Sequence, residues 1–225
     1  LEDGQDDRYV VDLDPLHMEP IQTTPRELPN WVELDFNQCD NCPLTKDQSP
    51  HCPAAVSMIS LVNRFAQLLS YDDITVVVES SERTVYKKTT IQRGVCSLMG
   101  LLMATSGCPR MAFFKSMARF HLPFASTEET IWRAIAFFSL AQYYLYQDGK
   151  KADMEFKGLS RIYSEVQIVN MAFAKRLRTA CEHDSMINGI VLLDMFAQSM
   201  PTAIKESLDQ LRYIFTPYLA YQDAK

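Results

Sequence analysis

The stretch MEFKGLSRIYSEVQIVNMAFAKRLRTAC, residues 154–181, decides the fold class. Leu159, Ile162, Val166, Val169, Phe173, Leu177 and Ala180 recur at three- and four-residue intervals, the period of a helix with one apolar face. A helix running from near Met154 to Cys181 must bury that stripe against other elements.

Working outward, Asp184 stands where it can cap a further helix through Met200. Pro201, which has no amide hydrogen, suits the first turn of a last helix with Ile204, Leu208, Leu211 and Phe215 facing inward. Towards the N-terminus, Ser126-Thr127-Glu128-Glu129 is a capping box that opens a helix to about Gln147, where Asp148-Gly149 ends it. Pro109 opens a short helix to about Phe120, broken by His121-Leu122-Pro123. A helix over Ile91 to Ala104 stops at Ser106-Gly107. Another carries Ala55, Met58, Ile59, Val62, Phe65, Ala66 and Leu69 on one side. Between those two, the β-branched run Ile74 to Val78, the turn Ser80-Ser81-Glu82 and the weakly alternating Thr84 to Ile91 predict a hairpin. Tyr9 to Leu13 reads as a further strand of the same small sheet.

The expectation is an α+β chain, mostly α: a bundle of about seven helices with a small N-terminal antiparallel sheet and a cysteine-bearing loop. It forms one domain over 1–225, with a strand and Pro-rich cysteine loop over 1–53, a helix and hairpin over 54–91, and the bundle over 92–225.

The balance of 47% apolar and 22% charged residues is that of a chain with a sizeable core. The formal charge of −6 argues against a general nucleic-acid surface. The basic groups Lys87-Lys88 and Lys175-Arg176-Arg178 read as solvated faces. No run reaches the ~18 apolar residues of a membrane helix. The best candidate, Ile131 to Tyr146, carries Arg133 and Gln142, so no membrane partner is expected. Asp3-Gly4 is a hairpin dipeptide that needs a strand before it, which predicts native residues upstream of Leu1. Seven glycines, with no phosphate-cradling loop or dinucleotide fingerprint, argue against a nucleotide-binding α/β fold.

From Pro15 to Pro53 the chain has seven prolines and little periodicity. Irregular segments of that length are functional or are held by something other than backbone ladders. This one contains QCDNCPLTKDQSPHCP. Cys39 and Cys42 are spaced for a turn that aims both sulfurs at one ion, and Cys52 can fold back as a third ligand. Cys108, in ATSGCPRM, is the expected fourth. Cys52 and Cys108 each precede a proline suited to a first helical position, so each is expected at a helix N-cap, where the macrodipole should help its thiol ionise. His51 and His121 are the runners-up. Zinc is the expected metal, with an iron–sulfur cluster as the alternative because three of the four cysteines precede proline. Plain buried thiols or a labile disulfide would also account for them. Cys96 and Cys181 fall within predicted helices and read as core.

Three other groups bear on function. Cys108 and His121 could form a nucleophilic dyad, though no orienting carboxylate or oxyanion hole is evident. Asp194, inside the apolar run Ile190 to Phe196, is expected to pair with Arg93, Arg119 or Arg133, with Asn170 and Gln142 joining the same buried network. Met99, Met103, Met111 and Met117 read as core filling.

The strings QCDNCPL, SPHCP, MATSGCP and MARFHLPFAS, with SYDDITVVVESSERTVYKKTTIQ between them, resemble an uncharacterised bacterial family of the domain-of-unknown-function kind, from about Tyr9 to Tyr218. The resemblance implies a bacterial, cytoplasmic protein and transfers no catalytic residue. The function expected from the residues is a non-catalytic zinc-binding adaptor or regulatory module. The alternatives are an iron–sulfur redox or sensing protein, and a thiol enzyme using Cys108 and His121.

Overall fold

A computed structural model describes residues 7–21, 27–210 and 212–223. Seven α-helices and one hairpin occur among them: α1 (Pro53–Phe65), β1 (Asp73–Glu79), β2 (Thr84–Thr90), α2 (Ile91–Thr105), α3 (Lys115–Arg119), α4 (Thr127–Gln147), α5 (Lys157–Ala180), α6 (Ser185–Gln210) and α7 (Arg212–Asp223). The molecule is mostly helical with a small antiparallel sheet, as its periodicities predict.

α2, α5 and α6 form the centre. The stripe read from the sequence is the buried face of α5, with Leu159, Val166, Val169, Phe173 and Leu177 in the core. α2 contributes Val95, Met99, Leu102 and Met103, and α6 contributes Met186, Ile190, Ala197, Met200 and Ile204. Gly189 lets α6 close on α2. A Cβ there would stand 3.1 Å from both the Met99 sulfur and a Val95 methyl, so a larger residue would push the helices apart. Met111 and Met117 are buried as well.

α4 begins and ends where its signals place it. Ser126 Oγ accepts from the Glu129 amide at 3.1 Å, and the Glu129 carboxylate accepts from the Ser126 amide at 2.7 Å. β1 and β2 pair antiparallel from Asp73↔Thr90 to Glu79↔Thr84.

Several expectations give way. Tyr9 to Leu13 does not join the sheet, and Leu13 makes only an isolated bridge to Pro20. Asp14 explains this: its carboxylate accepts from the Leu16 and His17 amides at 3.0 and 2.6 Å, folding the chain back at once. Tyr9 instead packs on Phe65 and hydrogen-bonds Ser60 Oγ at 2.5 Å. α6 does not stop at Met200 but runs through Pro201. Ala197, Met200 and Ile204 bury in phase on both sides of the proline, and that packing outweighs one lost backbone hydrogen bond. Phe215 is exposed on α7, tilted against the Trp132 ring. Asp184 does stand immediately before α6, as expected, and its carboxylate also reaches beyond that helix. It accepts from the Ser70 amide, Ser70 Oγ and Asn188 Nδ2, tying the α5–α6 junction to the segment after α1. Asp3-Gly4 and Leu211 lie outside the described residues. Among the described residues no helix is long and apolar enough to cross a membrane.

Candidate metal centre

Three segments carry the four cysteines singled out by spacing. The first is a turn closed by the Cys42 amide donating to the Cys39 carbonyl at 2.9 Å, with Gln38 Nε2 donating to the Leu44 carbonyl across it. The second is the N-cap of α1. Cys52 is extended there, only 8% exposed, and its amide donates to the Val32 carbonyl at 2.8 Å. The third is the N-cap of the 3-10 turn Pro109–Phe114, where Cys108 has nearly the same backbone conformation as Cys52. Gly107, at φ 81°, makes the reversal from α2 into Cys108 without strain. Both expected N-cap placements are therefore observed.

Side chains from the helical body bind these segments together. Arg110, two residues after Cys108, donates from Nε to the Asn41 carbonyl at 2.6 Å and from Nη1 to the Glu165 carboxylate at 2.9 Å. Asn41 lies inside the Cys39–Cys42 turn, and its Nδ2 donates to the Glu165 carbonyl on α5 at 3.0 Å. Its Oδ1 is buried without a hydrogen-bond partner. The turn is thus fastened to both α5 and the Cys108 segment.

Burial first, and then the neighbouring Cys52, Cys108 and Cys42, push the Cys39 thiol up to about 12, while Arg176 acts in the opposite direction. Burial also raises Cys108, with Cys52 and Cys42 adding to the shift and the amides of Arg110 and Met111 opposing it. For Cys108 the expected easier ionisation is therefore reversed. Loss of water outweighs the amide field at so short a helical turn. Cys39 thus lies in the field of the other three thiols and Cys108 in those of Cys42 and Cys52, and all four are free cysteines. As the side chains stand, no three or more His, Cys, Asp or Glu among the described residues form a group able to hold a metal ion.

The remaining candidates separate from this cluster. His51 is half-buried in an isolated bridge to Glu33, next to Cys52. His121 lies in the break between α3 and α4. Burial first and Arg133 second pull its imidazole down to about 4. Arg133 itself donates to the carbonyls of Met117 and Phe120. Among the described residues no hydrogen bond joins His121 to Cys108. Asp194 pairs with none of Arg93, Arg119 and Arg133: Gln198 donates to its Oδ2 at 2.7 Å, and its Oδ1 is buried and unbonded. Gln142 accepts from the Asp153 amide, and Asn170 Nδ2 is buried without a partner, so the expected shared network does not form. Cys96 is half-buried in α2, and Cys181 is the residue that ends α5, just outside it.

The residue that the sequence reading missed is Arg176. Placed with Lys175 and Arg178 on a solvated face, it is in fact 1% exposed. Its Nη1 donates to the carbonyls of Trp31 and Glu33, both at 2.7 Å, and its Nη2 to that of Leu34 at 2.9 Å. The signal was available: Arg176 stands three after Phe173 and beside Leu177, within the buried stripe.

A family model described as Domain of unknown function (DUF6901) matches residues 1–216. The chain belongs to that family. The family's description assigns no activity or ligand, so function must be argued from the geometry above. No curated protein and no solved structure matches the chain.

Proposed function

We propose that the chain is a metal-binding module in which Cys39, Cys42, Cys52 and Cys108 hold one structural zinc ion. The ion fastens the Pro-rich segment to the helical body, and the module acts in the cytoplasm as a non-catalytic adaptor or regulatory unit. What supports this reading is that Arg110 and Asn41 fasten the Cys39–Cys42 turn to the Cys108 segment and to α5, with Cys39 in the field of the other three thiols. Buried neutral thiols attract one another only weakly, and a dication that displaces their protons gives them a reason to close into a tetrahedron. A reducing compartment keeps such thiols free. A Cys108–His121 enzyme has less support, because burial holds that thiol protonated and that imidazole neutral without joining them.

Elemental analysis of protein produced in cells supplied with both zinc and iron is the test. The expected result is one equivalent of zinc, lost in Cys39→Ser and Cys108→Ser, with a raised melting temperature in the loaded protein. A brown protein containing iron, with broad visible absorption, would shift the same four thiols to the iron–sulfur alternative. Absence of both metals would remove both readings.

A further inference from the structure

Arg176 is a buried cation without a carboxylate. It sits on α5, and its guanidinium grips the carbonyls of Trp31, Glu33 and Leu34. The carbonyl skipped in that series, Val32, accepts the Cys52 amide. The guanidinium therefore holds the short backbone run on which the Cys52 cap rests. None of the ion pairs among the described residues includes Arg176. Asp35 feels its charge, but only as the least of the influences on it, and that exposed carboxylate already pairs with Lys46 at 2.5 Å. Arg110, which also binds the Pro-rich segment, is matched by Glu165. Three neutral carbonyls solvate a buried cation in part but do not neutralise it, and buried charges are ordinarily paired.

We infer that Arg176 is the built-in counter-charge of the cysteine centre, a positioning residue on α5 whose fixed positive charge raises the centre's affinity for a dication. This rests on the metal-binding reading and deepens it. A zinc ion held by four thiolates leaves a net dianion, costly to bury unless a cation lies beside it. Arg176 supplies that cation beside the backbone run on which the Cys52 cap rests. One side chain thus both fixes the segment bearing Cys52 and balances the charge that ligation creates.

Zinc affinity, measured at one pH by competition with a chelating dye, separates these two roles. Arg176→Lys keeps the charge and loses the forked donors, whereas Arg176→Gln loses both. Both should melt at lower temperature than wild type. The inference requires that Lys binds zinc nearly as well as wild type while Gln binds about 10- to 100-fold more weakly, the range for groups just outside a metal's ligands. Equal affinities in the two variants, whether both weak or both unchanged, overturn it, because a purely structural clamp would not distinguish them. If the Gln variant does not fold, the Lys variant decides: near-wild-type affinity at a lowered melting temperature supports the inference, and a loss beyond about tenfold overturns it. Wild-type protein that takes up no zinc fails at the earlier step and removes the metal reading itself.

Discussion

Residues 27–53 and residues 91–210 share one core, yet their backbones are anchored by different means. In the helical part, apolar stripes interlock: Phe173 and Leu177 of α5, Met99 and Leu102 of α2, and Met186 and Ile190 of α6 are all buried. Inside those helices the backbone groups are met by their own helical ladder. The N-terminal segment also buries apolar anchors, Trp31, Val32 and Leu34, but it has no regular ladder. Its carbonyls are met by Arg176 and Arg110, and its amide side chain at Asn41 reaches back to α5. A segment with only a short 3-10 turn and an isolated bridge can therefore be ordered by donors lent from the helical body, provided those donors are themselves held rigidly.

Two substitutions of similar size expose this difference most sharply. Phe173→Ala should lose about 3–5 kcal/mol by opening a cavity among the helices. Arg176→Met should lose several kcal/mol, about 1–3 kcal/mol for each buried carbonyl it strands. The losses should be felt in different places. In Arg176→Met, hydrogen exchange should rise first at the amides of Leu34 and Cys52, which bond to Pro50 and Val32. In Phe173→Ala, exchange should rise together across α5 and α6. Identical exchange patterns would mean that the two regions unfold as one unit.

Acid should weaken the helical part through His121. An unfolded histidine titrates near 6.5, whereas this one is drawn down to about 4 by burial and then by Arg133. The unfolded chain therefore takes up the proton first. The stability tied to the neutral ring is complete above about pH 6.5 and is lost as pH falls towards 4, by at most about 3 kcal/mol. Urea melts at pH 7 and pH 4.5 should show a smaller acid loss in His121→Gln than in wild type, and equal losses would contradict this. The smallest expected effect is at the start of α4, where Ser126→Ala should lose about 1 kcal/mol, read as faster exchange confined to the first turn.

What the sequence made legible follows the same division. The capping box at Ser126 and the stripe from Leu159 to Leu177 depend on neighbours in the chain, and both were placed correctly. Pro201 misled because a local preference for the first turn competed with burial on either side of it, and burial is not a local property. Tyr9 to Leu13 misled because alternation says nothing about whether a partner strand lies within reach. At the candidate centre, the ligand-like spacing of Cys39, Cys42 and Cys52, and the twin cap positions of Cys52 and Cys108, were visible in the residues. The grip of Arg176 was not, because a basic residue in a basic run resembles a solvated one until its place on the helix face is counted.

The bonds from Arg176 to Trp31, Glu33 and Leu34 join groups 142 to 145 residues apart. On the ribosome, the cysteine-bearing segment is made before α5 and cannot acquire its anchor until α5 has emerged. Throughout that interval its thiols are open to oxidants and to stray metal ions. A chain built this way depends on the redox state of its surroundings during its own birth, and its nascent form should be more easily alkylated than its completed one.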